Sequence, residues 1–136
     1  MFPAYARNMR QLILMRHAKT EPAAVGQSDF SRQLTDRGRL DAPLVAGQLA
    51  EAGATPSLAL ISDAVRTRQT WDLVQPSFST CRARSLSTLY LAEAEAIIRE
   101  ALQSGEEYIL VIGHNPGIHE LACVMSQGEG AAEQQL

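Results

Sequence analysis

Short apolar runs alternate along this chain with longer stretches in which apolar residues recur at helical spacing. Leu12 to Met15, Leu58 to Ile61 and Tyr108 to Ile112 are nearly continuous apolar runs, and Phe78 to Arg84 is a weaker fourth candidate. Runs of that length, apolar on both alternating faces, are the pattern of strands covered on both sides of a sheet. Between them lie helical stretches. The first is opened by Thr35 as a cap, carries Asp36 in its first turn and stops at Gly53, with Leu40, Leu44 and Leu49 near one face. Pro43 sits inside it; an interior proline removes a hydrogen bond, so the regular helix is expected to begin later than Thr35. Ala64 to Val74 reads as a second helix, broken by Pro76. Ala92 to Gln103 reads as a third, ending at Gly105, and a fourth starts at Pro116 with Asn115 as its cap. The βαβαβαβα order predicts a three-layer α/β/α fold with a mostly parallel central sheet.

Composition narrows the class. A chain of 136 residues suggests one domain, large enough to bury roughly two thirds of the surface of its unfolded chain. We expect residues 1–8 to be a loose tail and residues 9–136 to form the domain. The formal charge of −3 argues against a nucleic-acid binder, which needs a basic balance. Phosphate chemistry stays open if it is local, because scattered acidic residues are screened beyond about 8 Å at physiological salt. No apolar run approaches the roughly 18 residues of a membrane span, and the first ten residues lack the apolar core of a signal peptide. Cys81 and Cys123 form no CxxC pair, so neither a disulfide framework nor a structural zinc site is indicated. A reducing cytoplasm is the expected compartment.

Three groups of chemically active residues follow the strong strands. Arg16-His17 follows the first, Ser62 and Arg66 follow the second across its turn, and Gly113-His114-Asn115-Pro116 follows the run Tyr108 to Ile112. In a parallel sheet the carboxyl ends share one edge, where ligands bind, so these groups are expected to converge.

The residues themselves resemble a family. Leu14-Met15-Arg16-His17-Ala18, Ser62 through Thr70 and Gly113-His114-Asn115-Pro116, in that order, resemble the histidine phosphatase superfamily, which includes phosphoglycerate mutases and acid phosphatases. Arg32-Gln33-Leu34-Thr35 with Gly38 is similar to the SixA-type phosphohistidine phosphatases within it. The resemblance implies a phosphoglycerate mutase-like sheet, with His17 as nucleophile, Arg16 and Arg66 holding the phosphoryl group and His114 completing the pocket. It also implies at least one strand beyond the GHNP helix, so the chain is expected to lack its C-terminal strand or strands.

Those roles make chemical sense. An Arg fork matches phosphate oxygens with two hydrogen bonds, which a Lys point charge cannot do. His17 must be neutral to attack phosphorus, and nearby cations disfavour its protonated form. His114 is expected to donate a hydrogen bond to a transferring oxygen, and the helix opening at Pro116 adds a positive dipole end. The cycle has two steps, transfer to His17 and hydrolysis of the resulting phosphohistidine, and needs no metal or other cofactor. His17 and His114 without a third ligand at recognisable spacing do not make a zinc site. His119 reads as a helix-surface or packing residue.

The leaving group separates the members of such a family. An alkoxide needs a proton from a general acid, whereas imidazole leaving from phosphohistidine needs less help. The candidate acids are Glu93 and Glu95, which read more simply as exposed first-turn helix residues, and Glu21 in the loop after Thr20. Arg32, and behind it Lys19 and Thr20, are further candidates to touch phosphate or the substrate's flank. The expected activity is hydrolysis of phosphohistidine on a signalling protein, admitted by a pocket with no inserted cap. A phosphatase or mutase for a small phosphate ester, and a non-catalytic phospho-binding domain, stay open as alternatives. Neither nucleic acid nor membrane is expected as a partner.

Overall fold

The computed structural model describes residues 9–127. The expected tail, residues 1–8, and the last nine residues lie outside that range. Among the described residues four strands form one sheet in the order β1-β4-β2-β3: β1 (Gln11–Arg16), β2 (Leu58–Ser62), β3 (Arg82–Leu86) and β4 (Tyr108–Gly113). Every pairing is parallel. The helices are α1 (Asp36–Glu51), α2 (Val65–Val74), α3 (Ala94–Gln103) and α4 (Gly117–Ser126). No helix among the described residues is long and apolar enough to cross a membrane.

Period-2 alternation along the strands divides the interior into two cores. Met15, Ala59, Ile61, Leu110 and Ile112 point to one face and pack with Ala42, Ala46 and Leu49 of α1 and Trp71 and Val74 of α2. Leu58, Leu60, Ile109 and Val111 point to the other and pack with Ile97 and Ala101 of α3 and Ile118 and Leu121 of α4. This is the three-layer α/β/α architecture read from the sequence. All five residues of β2 are buried, as a central strand requires.

Several local expectations are corrected. The helix α1 begins at Asp36, directly after its Thr35 cap, and runs unbroken through Pro43. Pro43 is exposed, on the side of α1 away from the core, where its ring does not disturb the packing. The buried face of α1 is Gly38, Ala42, Ala46 and Leu49, whereas Leu40 and Leu44 are 66% and 65% exposed. Small residues let α1 sit close to its neighbours; an added Cβ at Gly38 would lie 2.4 Å from the carbonyl oxygen of Lys19. The fourth strand candidate lies further along than Phe78 to Arg84. Pro76 holds a 3-10 turn (Gln75–Ser77), Phe78 plugs the core at 5% exposure, and a turn to Cys81 follows before β3 starts. That strand is an exposed edge, and Arg82 and Arg84 on it discourage pairing with another chain. The third helix starts at Ala94 rather than Ala92. Pro116, joined to Asn115 by a cis bond, is the N-cap of α4 and not its first residue. Asn115 still serves the helix end, its side-chain oxygen accepting from the His119 N–H at 3.1 Å. The next residue has to be glycine, because a Cβ at Gly117 would come within 1.9 Å of the Ala92 carbonyl oxygen.

Candidate active site

Sheet register brings the three sequence groups to one edge. Arg16 at the end of β1 lies opposite Gly113 at the end of β4, and the His17 N–H donates to the Gly113 carbonyl at 3.1 Å. On the other side Ile61 of β2 is level with Ile112, so Ser62 and His114 emerge together. Arg66, in the first turn of α2, is 2% exposed. Threonines lock that turn in place. Thr67 donates to the carbonyls of Ser62 (2.7 Å) and Ala64 (2.9 Å). Thr70 donates to the Arg66 carbonyl (2.8 Å) while accepting the Ala18 N–H (3.1 Å), which ties α2 to the loop that carries His17.

The partners assign both histidine tautomers. His17 Nδ1 lies 2.8 Å from the Ala18 carbonyl oxygen, which only accepts, so Nδ1 carries the proton. Thr20 Oγ1, 3.1 Å away, shares that proton. His17 Nε2 faces the Arg66 Nε at 3.3 Å, a group that only donates, so Nε2 presents a lone pair. The same logic at His114 makes Nδ1 the acceptor of Arg66 Nη2 (3.3 Å) and Nε2–H the donor to Ser62 Oγ (2.7 Å). The pocket-facing nitrogen of His114 is therefore an acceptor in this geometry. Donation to a phosphoryl oxygen, the role expected from sequence, would require it to take up a proton first.

Sequence reading assigned no site role to Asp29 and Tyr90. Asp29 sits on a 3-10 turn (Asp29–Ser31) in a loop folded back over the sheet edge by an isolated bridge between Thr20 and Leu34. Its carboxylate accepts from Arg66 Nη2 (3.0 Å), Arg32 Nη1 (2.9 Å) and the Tyr90 hydroxyl (2.5 Å), and its carbonyl accepts from Arg66 Nη1 (2.7 Å). Tyr90 stands edge-on to His114, with ring centroids 5.4 Å apart, after the 3-10 turn (Ser87–Leu89). The available signal for Asp29 was its position three residues before Arg32. Tyr90 lay in a segment searched only for carboxylates.

The electrostatics follow from these contacts. Burial holds His17 down to about 4; the Ala18 carbonyl opposes this, and the cations Arg66, Arg16 and Arg32 add to it. Burial, then Arg66 and His17, holds His114 down to about 3. Both rings are thus neutral at pH 7. Asp29 is held far below the ordinary carboxylate range, chiefly by the Tyr90 hydroxyl and further by Arg32 and Arg66, against an opposing effect of burial. Tyr90 is raised in return. The three lowered groups share one sign in their effect on folding, and the opposite effect of Tyr90 is confined to pH above about 10. Below pH 6.5 the unfolded chain binds imidazole protons that the folded chain refuses, and below about 3.8 it also binds one that Asp29 refuses. Stability is therefore expected to be full at pH 7, to fall as the pH drops through 6.5, and to keep falling towards 4. Thermal melts at pH 7.0, 5.5 and 4.5 check this, and a melting temperature constant across them would contradict the neutral assignment of both rings.

The remaining candidates divide. Arg16 is exposed and lines, with His17, Lys19, Thr20, Arg32 and Leu44, a cavity of about 670 Å³ that opens along α1. Arg32 also donates to the Glu21 carbonyl at 2.8 Å. The three candidate acids are not brought to His17. Glu93 caps α3 and Glu95 lies in its first turn, both exposed and lining with Pro116 and Glu120 a separate cavity of about 420 Å³. Glu21 is exposed and meets the site only through its backbone. His119 is an exposed residue of α4, its Nε2 3.5 Å from the Cys123 sulfur. Among the described residues no group of three His, Cys, Asp or Glu side chains is placed to hold a metal ion.

Comparison with known proteins bears on the family and the fold. An uncharacterized chloroplast protein of Arabidopsis thaliana is 33% identical over 129 residues, covering 86% of this chain and 59% of its own length. The mitochondrial serine/threonine-protein phosphatase Pgam5 of Drosophila virilis is 35% identical over 92 residues, 68% of this chain and 31% of its own. This chain thus spans less than two thirds of either relative. Among solved structures, a SixA-type protein of Agrobacterium tumefaciens superposes with a TM-score of 0.76 at 29% identity, covering 88% of this chain and 85% of that one. The protein histidine phosphatase SixA solved with tungstate gives 0.72 at 26% identity, covering 90% and 81%. A phosphoglycerate mutase of Plasmodium falciparum shares the fold, with a TM-score of 0.60 at 20% identity, covering 86% and 69%. The model of the histidine phosphatase superfamily, branch 1, matches residues 12–90, more than half of the chain, and the protein belongs to that superfamily.

Proposed function

We propose that the protein is a phosphatase that hydrolyses phosphohistidine on another protein, through a covalent intermediate on His17. The observation that carries this reading is the state of Asp29. It is the carboxylate that touches the clamp, and three donors hold it ionised, so it has no proton for a leaving alkoxide. A leaving group that needs no acid fits such a site.

The Nε2 lone pair of His17 attacks phosphorus, forming a P–N bond as the substrate's own P–N bond breaks. A substrate ring protonated on its other nitrogen leaves as neutral imidazole, so no proton has to be delivered at cleavage. Because Nδ1 of His17 keeps its proton against Ala18, the phosphorylated ring is cationic and is itself a good leaving group when water attacks. Arg66, displaced from Asp29 or shared with it, offers its fork to the equatorial oxygens, and Arg16 adds charge from the open side. The open cavity beside α1, walled by Leu44 and by the cations Arg16 and Lys19, suits a protein surface with acidic flanks. The similarity to solved SixA proteins supports the same substrate class. We place the reaction in the cytoplasm, in keeping with two free cysteines.

A second reading, hydrolysis of a phosphate ester, is favoured by the similarity to Pgam5. The two are separated by following phosphate release from a phosphorylated histidine-phosphotransfer domain and from p-nitrophenyl phosphate. We expect a higher kcat/KM on the former. A clear preference for the ester would overturn the phosphohistidine reading, and hydrolysis of neither, with phosphate still bound, would make this a binding domain.

A further inference from the structure

The solvent side of α1 is not polar throughout. An outer helix of a three-layer fold buries one stripe and turns polar residues to water, yet α1 leaves Leu40 and Leu44 66% and 65% exposed, with exposed Pro43 between them. Spacings of three and four put these residues on one ridge, which Gly47 continues. Proline and glycine are the poorest residues for a helix interior. Internal packing does not call for either, since Pro43 is exposed and a Cβ at Gly47 would meet nothing within 4 Å. Gly47 is therefore a notch in the outer surface of the helix.

The ridge borders the cavity of about 670 Å³ that His17 lines. One wall of that cavity is the loop Arg16 to Thr20, and the other is Asp41, Leu44, Val45 and Gln48 of α1, so Leu44 belongs to both ridge and cavity. The two walls are fixed to each other. The Lys19 carbonyl accepts from the Thr35 N–H at 2.9 Å, and Gly38 lies directly against it. Anything seated on the ridge is thereby held in register with the nucleophile two residues before Lys19. The free charge here is positive. Asp41 is paired with Arg37 at 3.0 Å and Arg32 with Asp29, whereas the exposed side chains of Arg16 and Lys19 form no ion pair among the described residues.

We propose that the ridge and cavity seat an α-helix of the phosphorylated partner, carrying beside its phosphohistidine an apolar residue for Leu44 and an acidic residue for Lys19. This inference rests on the phosphohistidine reading above. A helix fits better than an added strand, because the backbone of the loop wall is already engaged. The Ala18 N–H donates to Thr70, the Ala18 carbonyl accepts from Thr20 and the Lys19 carbonyl accepts from Thr35. A strand would find no row of open partners there, whereas a helix bonds its own backbone and needs only side-chain contacts. The notch at Gly47 lets such a helix approach closely.

The test measures kcat/KM on a phosphorylated, helical histidine-phosphotransfer domain and on free phosphohistidine, for the wild type, Leu44→Glu and Gly47→Gln. Both variants are expected to lose about tenfold or more on the domain, through KM, and to stay within about twofold of wild type on free phosphohistidine. Gly47→Gln improves helix propensity, so thermal melting should show no loss of stability. Lys19→Glu is expected to weaken turnover of the domain at about 0.1 M salt, with the gap narrowing near about 1 M. Equal losses on both substrates, or none on the domain, would overturn the docking ridge. A proline-interrupted phosphohistidine peptide turned over as well as the domain, and as sensitive to Leu44→Glu, would make the occupant an extended segment and overturn the helix. A wild-type dimer dissociated by Leu44→Glu in sedimentation would assign the ridge to a second copy of this chain instead. Failure of the proposed function is read from the wild type alone, as a preference for p-nitrophenyl phosphate over both phosphohistidine substrates, and it would remove this occupant with it.

Discussion

Replacing His17 by Ala is expected to lower phosphate release from a phosphohistidine domain by roughly 10⁴-fold or more, the scale on which removal of a covalent nucleophile acts. The geometry explains why no neighbour would take over. Both imidazoles accept from Arg66, but His114 is 2% exposed with its Nε2–H committed to Ser62, whereas His17 lines the open cavity. The wild type should also accumulate an acid-labile, alkali-stable phosphoenzyme during turnover, and the variant should not. Far-UV circular dichroism of the variant checks that the fold is kept. Retained turnover in a folded His17→Ala protein would reject the covalent route altogether.

Arg66→Lys is the second large effect, and it tests geometry rather than charge. Arg66 donates in four directions at once: to His17 Nε2, to His114 Nδ1, and to the carbonyl and carboxylate of Asp29. A Lys ammonium at the end of a flexible stem preserves the positive charge and cannot span those acceptors in a plane. We expect kcat/KM to fall about 10²- to 10³-fold, the usual cost of losing one preorganised donor at a developing oxyanion. The residue is buried, so stability has to be followed in parallel by thermal melting. A folded Arg66→Lys protein within threefold of wild type would remove the guanidinium fork from the proposed clamp.

These two expectations depend on a loop that hydropathy does not describe. The segment Ser28 to Ser31 is polar and without period, and the side chain that organises Arg66, Arg32 and Tyr90 is a single aspartate within it. Its ionised state changes the argument about the leaving group. Sequence reading reached phosphohistidine because Glu93, Glu95 and Glu21 make weak acids by position. All three are exposed, Glu93 and Glu95 beside a separate cavity, and the carboxylate in contact with the clamp is held charged. The proposed substrate class thus rests on a different residue.

Some features of this protein are local and so are written in the chain itself. Apolar runs at Leu58 to Ile61 and Tyr108 to Ile112 have to be covered on both faces, and with helices between them a parallel sheet follows. Thr35 caps its helix because a hydroxyl at that position satisfies an orphan N–H, here that of Gly38 at 2.9 Å. Arg16, His17, Arg66 and His114 could be placed at strand ends because parallel strands share one carboxyl edge. Other features depend on contacts between distant segments. Leu40 and Leu44 lie on the solvent face of α1 because the sheet and α2 select Gly38, Ala42 and Ala46 for close approach, which periodicity alone cannot rank. β3 starts four residues later than expected because Phe78 is needed as a core plug. The tautomer of His114 and the contacts of Asp29 with Arg66 and Tyr90 were decided by tertiary structure, whereas the Nδ1 proton of His17 is held by its neighbours Ala18 and Thr20. The lone pair of His17 Nε2, the ionisation of Asp29 and the tautomer of His114 answer to partners that are tens of residues away in sequence and about 3 Å away in space.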